Sequence, residues 1–263
     1  GKSVSVIGFG GMRFEAVDDT DACVRTMVRA AQGGINYFDT APKYFGTKGE
    51  EVFGDGLSEL RRRGLPYYLS TKTFESQESA VRREIDGQLK RLGVDHIDFY
   101  HIWCITNLEN WRERKNNGVL TAFQKLKEEG IIGHLAVSSH LIGDEIKELL
   151  MEGVFEGVLF GYSGYNFATR RKAFDAIRAH NLGCVVMNPL GGGLIPNHPE
   201  LFSFLRTQED ESVVEAALRF LIAHDDISVS LVGFGNEDHV DDALRAANGY
   251  RSIGAAELEA IKA

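Results

Sequence analysis

A chain of 263 residues, 43% hydrophobic and 25% charged, buries one large core and fits one α/β barrel or two small domains. Its formal charge of -9 and pI near 5.4 lack the basic footprint that general nucleic-acid binding or an anionic membrane surface requires, so a small-molecule partner is expected, with no nucleic acid and no membrane. Three distant cysteines, Cys23, Cys104 and Cys184, without a C-x-x-C pair, support neither a disulfide framework nor a zinc site and point to a reducing cytoplasm. There is no charged-then-apolar leader and no apolar run near the roughly 18 residues of a span, so neither a signal peptide nor a membrane helix is expected. The chain opens on Gly1-Lys2 rather than Met, which suggests a processed or trimmed N-terminus.

Strand-like and helix-like segments alternate from end to end. A first strand over 4–9 closes on Gly8-Phe9-Gly10-Gly11-Met12-Arg13. A helix over 21–32 starts at Asp-Asp-Thr-Asp caps and stops at Gly33-Gly34. The stretch from Gly34 to Tyr44 then carries a strand (35–39) that ends in Asp39, with Tyr44 after a proline turn. A helix over 49–63 places Val52, Phe53, Leu57 and Leu60 on one face, and the strand 67–71 after it ends in Lys72. The next helix, 76–92, aligns Val81, Ile85 and Leu89 and breaks at Gly93, and the strand 97–100 ends in His101. The second half repeats the pattern with helices over 120–129, 144–151, 170–180, 212–224 and 238–247 and strands over 132–137, 158–162, 184–187 and 229–232. Eight strand–helix units with strands apolar throughout predict a single-domain (β/α)8 TIM barrel over residues 1–263. The long connections 103–118 and 191–211 both follow strands and so overhang the functional end of the barrel.

Asp39, Tyr44, Lys72 and His101 lie at or just beyond consecutive strand ends, where a barrel brings them together. Singly, each also fits an ordinary structural role: a turn cap, a loop aromatic, an ion pair, a core histidine. Together with Gly-Ile-Asn-Tyr-Phe-Asp-Thr-Ala-Pro-x-Tyr, Ser-Thr-Lys-Thr and Leu-Lys-Arg-Leu-Gly-Val-Asp-x-Ile-Asp-Phe-Tyr-His-Ile-Trp, they make the whole chain resemble the aldo-keto reductases. Reducing a carbonyl by hydride leaves an alkoxide that a positioned acid must protonate, and Tyr44 is the candidate. A neighbouring ammonium, Lys72, is expected to lower its pKa, with Asp39 keeping that lysine charged. His101 is expected to orient the carbonyl or relay the proton.

No side chain supplies a hydride, and no G-x-G-x-x-G opens a helix after the first strand, so a Rossmann site is disfavoured. The resemblance implies NADP or NAD across the barrel mouth, with NADP slightly favoured. On the same ground Gly11, Met12 and Arg13 lie at the mouth, Ser138 of Ser138-Ser139-His140 holds the carboxamide, and Asn188, Leu190 and Gly191 form the seventh loop. Gly235 and Asn236 form a phosphate cradle ahead of a helix. The chain departs from the family at three places. Tyr162 replaces a strand-six glutamine and is expected to share in stacking on nicotinamide, because Met187 replaces the usual aromatic. His239 stands where a basic residue grips a 2′-phosphate, and Asp242 replaces an adenine-contacting glutamate. Losing the arginine removes a bidentate phosphate contact and weakens the preference for NADP, unless Arg13 or Arg245 compensates. Trp103 and Trp111, on the long fourth loop, are candidates for an aromatic wall against substrate.

The reading is an NAD(P)H-dependent oxidoreductase that interconverts an aldehyde, ketone or sugar carbonyl and its alcohol by hydride transfer, with no metal, as a monomer or weak homo-oligomer. The alternatives are a Schiff-base aldolase acting through Lys72 and a cofactor-sensing subunit without useful turnover. The final Gly-Ala-Ala-Glu-Leu-Glu-Ala-Ile-Lys-Ala suggests a trimmed C-terminal extension of iron–sulfur type, although the chain itself lacks the cysteines for one.

Overall fold

Eight short parallel strands close on one another in chain order: β1 (Ile7–Gly10), β2 (Tyr37–Asp39), β3 (Tyr68–Thr73), β4 (Ile97–Ile105), β5 (Ile132–Ser139), β6 (Gly157–Gly161), β7 (Gly183–Met187) and β8 (Val229–Gly233). β8 pairs with β1 through four residues, Ile7 to Gly10 against Ser230 to Gly233, so no sheet edge is left open. The computed structural model describes residues 2–207, 212–249, 253 and 255–262.

The strands are apolar on both faces because each face meets a different core. Inside the barrel, Tyr37, Leu159, Val185, Val229 and Leu231 form a small layer with Phe99 and Met187 packed on it. Outside, a much larger core lies between the sheet and a ring of helices: α1 (Thr20–Gln32), α2 (Lys48–Arg62), α3 (Glu78–Leu92), α5 (Val119–Glu128), α6 (Gly143–Met151), α8 (Ala173–His180), α10 (Val213–Ile222) and α11 (Glu237–Asn248). Local signals fix several ends. Asp39 is preceded by a helix whose cap, Asp19, accepts from the Ala22 amide at 2.9 Å, and α10 starts in a capping box between Ser212 and Glu215. Gly93, with φ at 62°, ends α3 in the left-handed region.

The eight strand–helix units follow the expected order, and the differences lie in the connections. β4 runs on to Ile105, past a register shift against β5 after Ile102, with Cys104 at φ 62°. The fourth loop then folds into α4 (Leu108–Asn116), a helix so polar that only Trp111 and Arg114 are buried, which leaves no apolar period to read. The helix expected over 170–180 divides into α7 (Phe167–Arg170) and α8. The seventh loop carries a short α9 (Leu194–Asn197) between two 3₁₀ turns, and its last residues, 208–211, fall outside the described set. Of the final stretch, Gly254 and Ala263 also fall outside it, and Ala255–Lys262 forms α12. No helix among the described residues is long and apolar enough to cross a membrane.

Candidate active site

Alternation along a strand sends every second side chain into the barrel. Tyr37 on β2 and Phe99 on β4 belong to the inner layer, so Asp39 and His101, two residues on, face inward one layer nearer the C-terminal mouth. On β3, Ser70 pairs with Asp39 and Lys72 with His101. Three neighbouring strands thus deliver four polar side chains to one spot.

Asp39 and Lys72 are each 1% exposed, and the lysine Nζ donates to Asp39 Oδ1 at 2.5 Å and to the Thr40 carbonyl at 2.9 Å. Burial opposes the ammonium, but the Asp39 charge and the Tyr44 hydroxyl beside it raise the lysine pKa on balance, so Lys72 stays charged. Ser70 Oγ donates to Asp39 Oδ2 at 2.7 Å and lies 3.1 Å from His101 Nε2. With its proton committed to the carboxylate, Ser70 accepts from Nε2–H, and this fixes the histidine tautomer. Burial, then the Lys72 charge, push the His101 pKa down to about 3, so the ring is neutral at physiological pH.

Tyr44 stands over this group, with Lys72 Nζ 5.5 Å from its ring centroid. The expected lowering of its pKa does not survive. Burial is the larger influence and raises it, outweighing the pull of the Lys72 charge and hydrogen bond. Tyr44 is therefore a protonated phenol throughout the neutral range, suited to giving a proton.

Trp103 lies edge-on to Tyr44 at 5.9 Å between ring centres and to Phe74 at 5.5 Å. Arg114 of α4, nearly fully buried, donates to the Trp103 carbonyl at 2.7 Å and packs against the Phe74 ring at 5.1 Å. α4 therefore braces the wall beside Tyr44. Sequence reasoning missed three contributors: Ser70, Phe74 and Arg114. The first two were within reach, since Ser70 sits two residues before Lys72 and Phe74 two residues after it on the same strand end. Trp111 does not belong to the wall. It is fully buried, donates to Glu152 Oε1 at 2.9 Å and packs on Phe155, anchoring α4 to the barrel.

A cleft of about 500 Å³ runs from Asp39 and Tyr44 across β7 and β8 to α11. Met12, Arg13, Asn188, Leu190, Gly235, His239 and Asp242 line it, as do Gly192 and Gly193 rather than Gly191. The three consecutive glycines have φ of 64°, 70° and 102°, a run that side chains would strain, and Asn188 is left-handed too at 55°. Gly192 leaves open the space a side chain would take and Gly193 nearly so, whereas a Cβ on Gly10, Gly233 or Gly235 would meet Val232, Arg13 or Glu15. An extended ligand can therefore lie close to the seventh-loop backbone, and the residues present fit a dinucleotide. Asn236 lies outside the lining. It caps α11 by accepting from His239 N at 3.1 Å and donates to Glu15 at 2.9 Å, while Gly235 N donates to His239 Nδ1 at 3.3 Å. Around the α11 end the charges are mostly matched. Asp242 pairs with Arg245, Glu15 is 4.0 Å from His239, and Arg13 makes no ion pair among the described residues.

Besides Gly191 and Asn236, three expected cofactor residues are placed differently. Gly11 does not line the cleft. Its amide donates to the Asp39 carbonyl at 2.9 Å, and a Cβ there would come within 2.6 Å of the Phe53 ring, so it is needed for packing under the site. Tyr162 faces away from the mouth. Gly161 takes the inward position on β6, one step after Leu159, so Tyr162 points to the helices, packs on Phe174 and Phe220 and shares a 3.2 Å contact with His224 Nε2. It cannot stack on a ligand in the cleft. Ser138 does face inward, through its pairing with Leu159, but it lies beyond the cleft lining, and its buried Oγ has no partner.

A model of the aldo/keto reductase family matches residues 6–262. L-Galactose dehydrogenase of Arabidopsis thaliana is 29% identical over 296 aligned positions, covering 99% of this chain and 91% of the relative. Among solved structures, the holo form of aldo-keto reductase AKR11C1 from Bacillus halodurans superposes with a TM-score of 0.82 at 24% identity, covering 98% of this chain and 91% of that one. An aldo/keto reductase from Klebsiella pneumoniae in complex with NADP and acetate gives 0.77 at 21% identity, covering 98% and 90%.

Proposed function

We propose, because this chain belongs to the aldo/keto reductase family, that it interconverts an aldehyde, ketone or sugar carbonyl and its alcohol, with Tyr44 giving or taking the proton at oxygen. The observation that carries this reading is the Lys72 Nζ held 2.5 Å from Asp39 Oδ1 on one side and set beside the Tyr44 hydroxyl on the other, where, against burial, the Asp39 charge raises its pKa. A bound NADH or NADPH would supply the hydride. Tyr44 protonates the developing alkoxide, and the ammonium beside it stabilises the phenolate left behind. Neutral His101, tied through Ser70 to Asp39, holds that side of the carbonyl site in one arrangement. Trp103 and Phe74 exclude water from the substrate side.

Met12, Arg13, Asn188, Leu190, Gly235, His239 and Asp242 are the residues we assign to the cofactor, with Ser138 at its nicotinamide end. Glu15 stands 4.0 Å from His239 and Asp242 engages Arg245, so the two α11 groups that could grip a 2′-phosphate each face a carboxylate, which tips the preference toward NAD. The name of the plant relative, a sugar dehydrogenase, makes a sugar or sugar-like polyol the first substrate class to try. A Schiff-base aldolase is less well supported, because an ammonium held by Asp39 and Thr40 has no lone pair to offer a carbonyl. We also retain the expectation of a monomer or weak homo-oligomer, which analytical ultracentrifugation tests.

The deciding experiment is a tryptophan-fluorescence titration with NADH and NADPH, followed by turnover of a sugar and aldehyde panel, on wild type and Tyr44→Phe. The variant should bind cofactor as wild type does and lose on the order of 10²- to 10⁴-fold in turnover. Turnover kept within a few-fold would remove Tyr44 from the mechanism. Tight binding with no turnover of any carbonyl would favour a cofactor-sensing subunit.

A further inference from the structure

Next to the cleft, at the ends of β5 and β6, a set of polar groups is left without partners. The pairing of Ser138 with Leu159, a member of the inner layer, turns Ser138 inward, and one step on, Gly161 of β6 faces inward as well. Gly161 has no side chain of its own, and Arg170 at the end of α7 fills the place. A Cβ on Gly161 would lie 2.7 Å from Arg170 Nη1 and 3.3 Å from its Cζ, and Asn166 Nδ2 would be 3.6 Å away. Arg170 Nε and Nη1 are buried and bonded to nothing, as is Ser138 Oγ, and Arg170 forms no ion pair among the described residues. Partial burial of its ring, and then the same charge, lower the pKa of His140, just past β5.

Buried guanidinium nitrogens without acceptors are costly, and native interiors rarely leave them so. Nothing nearby in the protein relieves them. Asn166 has already given its oxygen to the Ser163 amide at 3.0 Å, which leaves its NH₂ facing the same place. Arg170, Asn166 and Ser138 can all donate, so the missing group is an acceptor. Gly161 pairs with Met187, which lines the cleft, so a ligand there reaches the spot directly.

We propose that Arg170, seated over Gly161, is a ligand-binding residue that grips a planar carbonyl-type oxygen of the molecule in the cleft. That oxygen belongs either to the carboxamide of a nicotinamide ring or to a carboxylate on the substrate. This assignment rests on the proposed oxidoreductase reading and accounts for a glycine at the position where Tyr162 was expected to act.

The test is binding, without turnover, on wild type, Arg170→Met and Gly161→Ala. The second variant keeps the charge and pushes the guanidinium aside, which guards against a folding defect specific to the first. Titrations use NADH, then ADP-ribose, which lacks only the nicotinamide, then glyoxylate and a neutral aldehyde against the enzyme saturated with NADH. If the carboxamide is the acceptor, both variants lose on the order of 10- to 100-fold in NADH affinity, with ADP-ribose unchanged. If a substrate carboxylate is the acceptor, NADH binding is kept and glyoxylate alone weakens. Variants that match wild type for every probe overturn the inference while leaving the oxidoreductase reading intact. A wild-type protein that binds neither NADH nor ADP-ribose overturns that reading and this inference with it.

Discussion

Replacing Lys72 by Met separates chemistry from architecture at this site. Among the described residues, the substitution leaves Asp39, 1% exposed, with Ser70 as its remaining side-chain partner and no counter-charge. Breaking one half of a buried ion pair costs about 3–5 kcal/mol, because the remaining charge stays desolvated. With an unfolding entropy of about 2.1 cal/mol/K per residue over 263 residues, that corresponds to a fall in Tm of about 5–9 °C. The double variant Lys72→Met/Asp39→Asn leaves no charge behind and should recover at least half of the lost stability. Its turnover should stay down by about 10²–10⁴-fold, because Tyr44 has then lost the ammonium that stabilises its phenolate. Thermal unfolding followed by circular dichroism gives the first quantity, and NAD(P)H absorbance with a carbonyl substrate gives the second. A double variant that works within tenfold of wild type would mean that the pair only holds the barrel together.

Two further outcomes follow from the same geometry. Oxidation of an alcohol needs Tyr44 as phenolate, and burial raises its pKa above the ordinary phenol value. The oxidative rate should therefore climb about tenfold per pH unit through neutral and alkaline pH, while carbonyl reduction, which uses the phenol, stays flat. His101, pushed down to about 3, adds no bend between pH 5 and 8, so an inflection there in a pH–rate profile would assign the proton step to another group. Ser70→Ala removes the one hydrogen-bonding link between Asp39 and His101 among the described residues and should lower turnover by about tenfold with little change in cofactor affinity, at a stability cost of about 1–2 kcal/mol. Unchanged turnover in steady-state kinetics would show that His101 needs no such tether.

The candidate cluster was legible because Asp39 ends an apolar run, Lys72 comes one residue before the end of another, and His101 stands on the next strand at the register of Lys72, although β4 continues past it to Ile105. The expectation for Tyr162 rests on its standing where the family has a strand-six glutamine, and the two-residue alternation of β6 overrides it. Leu159 is inward, so Gly161 is inward and Tyr162 is not. α4 was invisible for a different reason. Its buried residues are a tryptophan and an arginine, and the arginine is anchored through one nitrogen by a backbone carbonyl on β4 that no local pattern reveals. The direction of the Tyr44 pKa could not be read either, because it depends on how completely the neighbouring strands and loop cover the ring, and sequence names the neighbours without giving the depth.

In the proposed mechanism the groups that handle the proton are fixed to β2, β3 and β4, except for Tyr44, which follows β2 by five residues. The wall beside Tyr44 comes instead from Trp103 braced by α4, and the cleft wall from the segment leading into α9. Strand positions are held by backbone ladders shared with both neighbours, and connecting segments are not. Such a division lets selection exchange one part without reopening the other: a duplicated gene could acquire a new fourth or seventh connection, and with it a new diet, while inheriting a working acid and its charged companion unchanged.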